Sequence, residues 1–301
     1  MNIALIGYGE VGRILAEDLR ASAHDLTAFD LKLGSPAGEP LQAHALANGV
    51  TLAASHAGAV GRAQLVVCAV TARQTVAAAA ACATALPEGC FFLDFNSASP
   101  AAKQAAADQV ARGRGRYVEG AVMTSVPPHR IRVPLLLGGP HAAMLEPVLK
   151  TLGFAAQRAS DQLGVASATK MCRSVMIKGL EAMVIESFTA ARRYGVEDGL
   201  LASLHETFPG IDWEKQGAYF FRRVIAHGRR RAEEMSEAAA TVREAGLEPW
   251  SAAGTAKRQA WMADLADADV FSQERAASPP PPDWRAEADR ILRYVDLAKE
   301  R

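Results

Sequence analysis

Three glycines stand at positions 7, 9 and 12 of NIALIGYGEVGRILAEDL, residues 2–19, directly after an apolar run. That spacing can bring a backbone against a pyrophosphate. The first glycine suits a tight turn, the second leaves room for the phosphates, and the third lets a helix pack close to the strand. The stretch Gly7, Tyr8, Gly9, Glu10, Val11 and Gly12 is therefore the expected phosphate-binding turn, with the N–H groups of a helix start aimed at the anion. Asp30 closes the next apolar run. A carboxylate there accepts from ribose hydroxyls and repels a 2′-phosphate, favouring NAD over NADP; Lys32 is placed to partner such a phosphate. Capping a loop is the other role open to Asp30.

Val70-Thr71 and Asn96-Ser97 end two further apolar runs. Ligands of open α/β sheets sit outside the carboxyl ends of the strands, so these residues either line the nicotinamide side or serve as loop and cap residues. Lys170 lies two turns into a long helical stretch. A lysine in a partly closed cleft loses solvation, which lowers its pKa and lets it exchange protons near neutral pH. Hydride transfer to or from an alcohol needs such a group to take or give the hydroxyl proton. Read by itself, Lys170 is an exposed, solubilising lysine; its helix face, shared with Arg173, Ser174, Ile177, Lys178 and Glu181, is too polar for a core stripe.

These residues need a scaffold, and the first half of the chain supplies strand–helix alternation. Ile3–Ile6, Leu26–Phe29, Leu65–Val70, Phe91–Phe95, Tyr117–Val122 and Pro134–Leu137 read as buried parallel strands. Amphipathic, alanine-rich stretches lie between most of them: 10–21, 42–48, 73–86, 100–111 and 142–152. No strand pattern is expected after Leu137. Ser160 and Asp161 supply a helix cap region. Helices are expected over 162–194, 197–207, 213–231, 232–245, 251–266 and 284–299, with SPPPPDW at 278–284 as a polyproline connector. The fold expected is α/β: a Rossmann-type doubly wound parallel sheet over 1–160, then a long connecting helix and an all-helical domain over 161–301.

Composition narrows the partners. Thirty-three basic residues balance thirty-three acidic ones, so no charge excess exists to hold nucleic acid or an anionic membrane. Cys68, Cys82, Cys90 and Cys172 form no metal-like cluster and read as reduced, mostly buried thiols of a cytoplasmic protein. The start lacks a signal-peptide pattern, and no apolar stretch is long enough for a membrane span. A small molecule is the partner expected.

Four stretches together resemble the β-hydroxyacid dehydrogenases, the family of 3-hydroxyisobutyrate dehydrogenase and 6-phosphogluconate dehydrogenase. They are GYGEVGRILAEDL, DFNSASPAAKQ from Asp94, VPLLLGGPHAAMLEPVLKTLG from Val133, and GVASATKMCRS from Gly164, in the family's order. The resemblance implies that Lys170 is the catalytic acid and base, that the C-terminal domain is shared in a homodimer, and that the site lies between the domains. Two departures stand out. Ser174 occupies the place of an asparagine that bonds the substrate hydroxyl. Met123, Thr124 and Ser125 replace the Ser-Gly-Gly of the substrate-carboxylate loop, where bulk keeps the backbone at a distance. Arg173 either clamps a carboxylate or faces solvent. The chain looks closer to a phosphogluconate-dehydrogenase-like NAD-binding subgroup, whose C-terminal domain has no assigned function, than to those familiar members. His227 and Arg229, Arg230 and Arg231 form either an anion site or a solvated, charge-paired helix face.

The function expected is an NAD(P)-dependent oxidoreductase acting on a β-hydroxy acid or related alcohol. The alternatives are an imine or ketone reductase on the same fold, or a dinucleotide-binding protein without catalysis. No GxSxG, HExxH or GxxxxGK[ST] motif competes.

Overall fold

The computed structural model describes residues 1–20, 24–271 and 283–299. Most of the expected polyproline connector lies outside them. The first half alternates as its apolar runs require: β1 (Asn2–Ile6), α1 (Glu10–Arg20), β2 (Asp25–Phe29), α2 (Glu39–Ala47), β3 (Thr51–Leu52), α3 (His56–Val60), β4 (Leu65–Cys68) and α4 (Thr75–Ala83). The alternation continues through β5 (Phe91–Asp94), α5 (Pro100–Arg112), β6 (Arg116–Val122), α6 (Val126–His129), β7 (Leu135–Gly138), α7 (Ala142–Thr151) and β8 (Ala156–Ser160). Among the described residues only helices then follow as regular elements: α8 (Val165–Tyr194), α9 (Glu197–Thr207), α10 (Trp213–Glu244), α11 (Trp250–Asp267) and α12 (Trp284–Lys299).

One eight-stranded sheet runs β3-β2-β1-β4-β5-β6-β7-β8. The crossover order places the first strand inside the sheet, between β2 and β4, the arrangement of a Rossmann-type sheet. Successive residues of β1 point to opposite faces, so Ile3 and Leu5 join one core while Ala4 and Ile6 join the other. Helices cover both faces, which is why the strands read as unbroken apolar runs.

The structure corrects three expectations. β7 runs antiparallel to β6, so the sheet is mixed rather than wholly parallel. Two strands lack the apolar signal that would reveal them. β3 is two residues long, and β8 (AQRAS) buries only Ala156 because it lies at the sheet's edge. The helices expected over 213–231 and 232–245 are one, α10. Its mid-helix Gly228 does not break it but packs it, since a Cβ there would lie 2.7 Å from the Gln259 carbonyl oxygen on α11.

The chain divides into two compact units, Met1–Cys172 and Arg173–Arg301, the division falling inside α8. The second unit has its own core, in which Phe188 and Phe221 pack against the Trp284 ring. Glycine permits the close approach here too: a Cβ on Gly217 would lie 2.8 Å from the Phe188 ring. Among the described residues no helix is long and apolar enough to cross a membrane.

Candidate functional site

The glycine turn forms where β1 hands over to α1. Gly7 has φ +90, and a Cβ on it would meet the Ala69 carbonyl oxygen at 2.4 Å. A Cβ on Gly12 would lie 2.2 Å from the Gly7 carbonyl oxygen, so this glycine is what lets α1 start so close to the strand. Gly9 differs. Nothing lies within 4 Å of where its Cβ would be. The protein's packing does not demand glycine there, and the open cradle at a helix start fits the pyrophosphate of a dinucleotide.

Tyr8 sits inside this turn with its ring fully buried. Its N–H donates to Asp30 Oδ2 at 2.8 Å. Its hydroxyl meets His44 Nδ1 of α2 at 3.0 Å, and burial pushes its phenol up to about 12. Asp30 Oδ1 accepts from the Lys32 N–H at 2.9 Å and caps the short 3-10 turn Leu31–Gly34. Asp30 thus caps this turn, and its carboxylate is held at the end of β2 beside the glycine turn. Lys32 is exposed. Glu10 is exposed and Val11 half-buried in the first turn of α1.

The next two strands end in a coupled pair of loops. The Val70 N–H donates to Asn96 Oδ1 at 2.7 Å, the Asn96 N–H donates to Asp94 Oδ1 at 2.9 Å, and the Asn96 amide donates to Cys68 Sγ at 3.5 Å. Asn96 is thus buried as the tie between the two strand ends, while Thr71 beyond Val70 is exposed. Beneath them Asp94 is wholly buried. Lys103 pairs with it at 2.9 Å and the Tyr117 hydroxyl donates to it at 2.6 Å. Burial, then the Asp94 charge, holds the Tyr117 phenol well above its ordinary value. A buried ion pair is tolerable only when so fully hydrogen-bonded.

Lys170 comes to the same end of the sheet. Its Nζ donates to Ser97 Oγ, and the side chain is half-buried. What holds Lys170 there is Glu119. This wholly buried carboxylate of β6 accepts from the Ala166 N–H at 2.9 Å and from the Ser167 hydroxyl at 2.9 Å, capping the first turn of α8. Gly138, its antiparallel partner on β7, makes the space: a Cβ there would lie 2.2 Å from Glu119 Oε1. A carboxylate at a helix N-terminus also meets the positive end of the helix dipole.

Beyond β6, Met123 is half-buried and its N–H donates to the Pro134 carbonyl at 2.9 Å. Thr124 is exposed and Ser125 half-buried at the start of α6, whose first turn contains a proline. The remaining expected residues belong to the second unit. Arg173 is exposed. Ser174 is buried, with Lys178 Nζ donating to its Oγ at 3.5 Å. Lys178 pairs with Glu234 at 2.5 Å, and burial pulls the Lys178 ammonium down against that partner's pull upward.

The arginine run is charge-paired. Arg229 meets Asp264 and Asp267 at 2.8 and 2.5 Å, Arg230 meets Glu234 at 4.0 Å, and the buried Arg231 bonds Glu181. His227 lines a surface cleft with Arg229, Arg230 and Asp267.

The structure thus gathers the glycine turn, Asp30, Val70, Asn96, Ser97 and Lys170 at the carboxyl ends of β1, β2, β4 and β5. Sequence reasoning found most of that set. It passed over Glu119 as a helix cap and Ser97 as the partner of Lys170. The signal available was Glu119 itself, an acidic residue inside an otherwise apolar strand.

Comparisons agree with this geometry. Residues 2–160 match the NAD-binding domain of 6-phosphogluconate dehydrogenase, and residues 191–262 match a domain of unknown function, DUF1932. A conserved hypothetical protein from Sinorhizobium meliloti 1021 superposes with a TM-score of 0.76 at 35% identity, covering 97% of this chain and 96% of that one. The conserved protein MTH1747, of unknown function and structurally similar to 3-hydroxyacid dehydrogenases, superposes with a TM-score of 0.70 at 26% identity over 89% of this chain and 98% of that one. An uncharacterised 28.5 kDa protein in the 7S RNA 5′ region of Methanothermus fervidus is 25% identical over 252 residues, 83% of this chain and 94% of that protein.

Proposed function

We propose a function from one premise: the chain belongs to the family defined by the NAD-binding domain of 6-phosphogluconate dehydrogenase. It is an NAD(P)-dependent oxidoreductase acting on a β-hydroxy acid or related alcohol. The observation that carries this reading is the hydrogen bond from Lys170 to Ser97, at the sheet end where the glycine turn lies. A bound nicotinamide dinucleotide supplies the hydride chemistry. The chain's own residues supply position and proton transfer. The Gly7–Gly12 turn, with the Glu10 and Val11 N–H groups, holds the pyrophosphate. Asp30, its carboxylate fixed by two N–H groups, faces the ribose and favours NAD, with Lys32 as the feature open to NADP. Val70, Thr71 and Asn96 back the nicotinamide. Lys170 Nζ, as the neutral amine, takes the substrate hydroxyl proton in oxidation and, as the ammonium, returns it in reduction, while the bond to Ser97 Oγ fixes the direction of the side chain. Met123, Thr124, Ser125, Arg173 and Ser174 are assigned to a carboxylate-bearing substrate. A cytoplasmic homodimer completes the reading, supported by the exposed Met176, Met183 and Tyr194 of α8.

The test is turnover of NAD and NADP over a panel of β-hydroxy acids, wild type beside Lys170→Ala. General acid–base catalysis contributes about 10²–10⁴-fold, and a loss of that size with dinucleotide affinity retained is the expected outcome. Turnover within a few-fold of wild type would remove Lys170 from the chemistry.

A further inference from the structure

The segment assigned to the substrate, Met123–Ser125, runs into a turn that is fastened to a distant element. Arg130 closes α6 with φ +52 and ψ −135, a backbone conformation that a residue with a Cβ adopts rarely. Such a conformation persists when surrounding contacts over-determine it. Here the contacts are made with α1, the helix that follows the glycine turn. Arg130 Nε donates to Asp18 Oδ1 at 2.8 Å, and its Nη2 donates to Glu17 Oε2 at 2.6 Å. The Ile131 N–H donates to the other Asp18 oxygen at 3.0 Å. Two carboxylates, a guanidinium and a backbone amide thus bind one loop to one helix.

The network continues to the glycine turn. Glu17 Oε1 lies 2.9 Å from His44 Nε2, and His44 Nδ1 lies 3.0 Å from the Tyr8 hydroxyl. With the ring proton on Nε2, Nε2–H donates to Glu17 and Nδ1 accepts from Tyr8. Tyr8 is the residue between Gly7 and Gly9, so a side chain of the turn itself ends the chain of contacts.

We propose that Arg130 is a positioning residue that ties the Met123–Ser125 loop to the dinucleotide helix, so that a dinucleotide seated on the glycine turn orders the loop. The proposal rests on the reading above that the turn holds a dinucleotide. The physical basis is rigidity: a ligand that stills the turn and α1 removes motion from whatever is bonded to them.

The experiment is amide hydrogen exchange on the full chain across residues 123–133, with and without saturating NADH or NADPH. Dinucleotide affinity is measured in parallel by fluorescence. The Ile131 amide is a direct reporter, since it donates to Asp18. In wild type, bound dinucleotide slows exchange of this segment by about tenfold or more. In Arg130→Ala that slowing is lost while dinucleotide affinity stays within about threefold, and Arg130→Lys, which keeps the charge, recovers part of it. Arg130→Gly separates the two roles of the residue: glycine relieves the backbone yet loses the clamp, so it behaves like alanine. Asp18→Asn is the second variant should Arg130→Ala fold poorly, with the same loss expected. Slowing of wild-type size in Arg130→Gly, or none in dinucleotide-bound wild type, overturns the proposal. Failure of both dinucleotides to bind wild type is read from the fluorescence alone and overturns the underlying reading together with the coupling.

Discussion

Gly9 and Gly12 are the same residue type serving different physical demands. A methyl at Gly12 would collide with a backbone carbonyl at 2.2 Å, whereas a methyl at Gly9 would enter open space. Gly12→Ala is therefore expected to cost stability, about 1–3 kcal/mol as overpacking, in urea unfolding. Gly9→Ala is expected to leave the unfolding midpoint unchanged and to weaken NADH binding, measured by fluorescence titration. The cysteines divide in the same manner. Cys68, Cys82 and Cys90 are buried, and burial pushes the Cys82 and Cys90 thiols up to about 12 and about 11. Cys172 is exposed. Thiolate-specific labelling of the native chain should modify Cys172 alone, and denaturation should release the other three. The glycine spacing was legible because its meaning is local. The pairings of Ser97 and Arg130 were not, because their partners come from 73 and 112 residues away, and no single-sequence pattern reports such a meeting.

At the scale of elements, α8 is set on the sheet by one buried carboxylate. Glu119→Ala leaves the Ala166 N–H without its acceptor inside the protein, at a cost of about 1–3 kcal/mol in chemical unfolding. Glu119→Gln keeps one acceptor oxygen and should recover part of the loss. The clamp between α1 and the loop after β6 carries a pH dependence. Hydrogen bonds from His44, then Arg130, hold the Glu17 carboxyl below its ordinary value. A carboxylate lowered in the fold stabilises it above the unfolded value, and that contribution is lost as pH falls through the folded value. The protection of the Ile131 amide, its exchange relative to an unprotected amide at the same pH, should therefore fall as pH drops below the usual glutamate range. The core strands were legible because burial on both faces leaves an unbroken apolar run. β3 and β8 bury too little to leave one. The reversal of β7 was invisible because apolar content records burial and carries no strand direction.

At the scale of the molecule, the cores of the two units share no residue. Each has the means to unfold cooperatively by itself, so calorimetry is expected to resolve two transitions rather than one. Saturating NADH should raise only the transition of the first unit, by about 2.7 kcal/mol at a hundred times the dissociation constant. A single transition moved as a whole would show that the units unfold together.

The two borders of the sheet have a consequence for how the protein behaves at high concentration. A long, flat, apolar edge invites strands from other chains and seeds aggregation. Here one border is the two-residue β3, too short to template an added strand. The other is β8, whose outward residues include Gln157 and Arg158, the latter held at 3.0 Å by Asp161. The polar edge that hid β8 from its sequence signal is the same feature that guards the sheet against polymerisation.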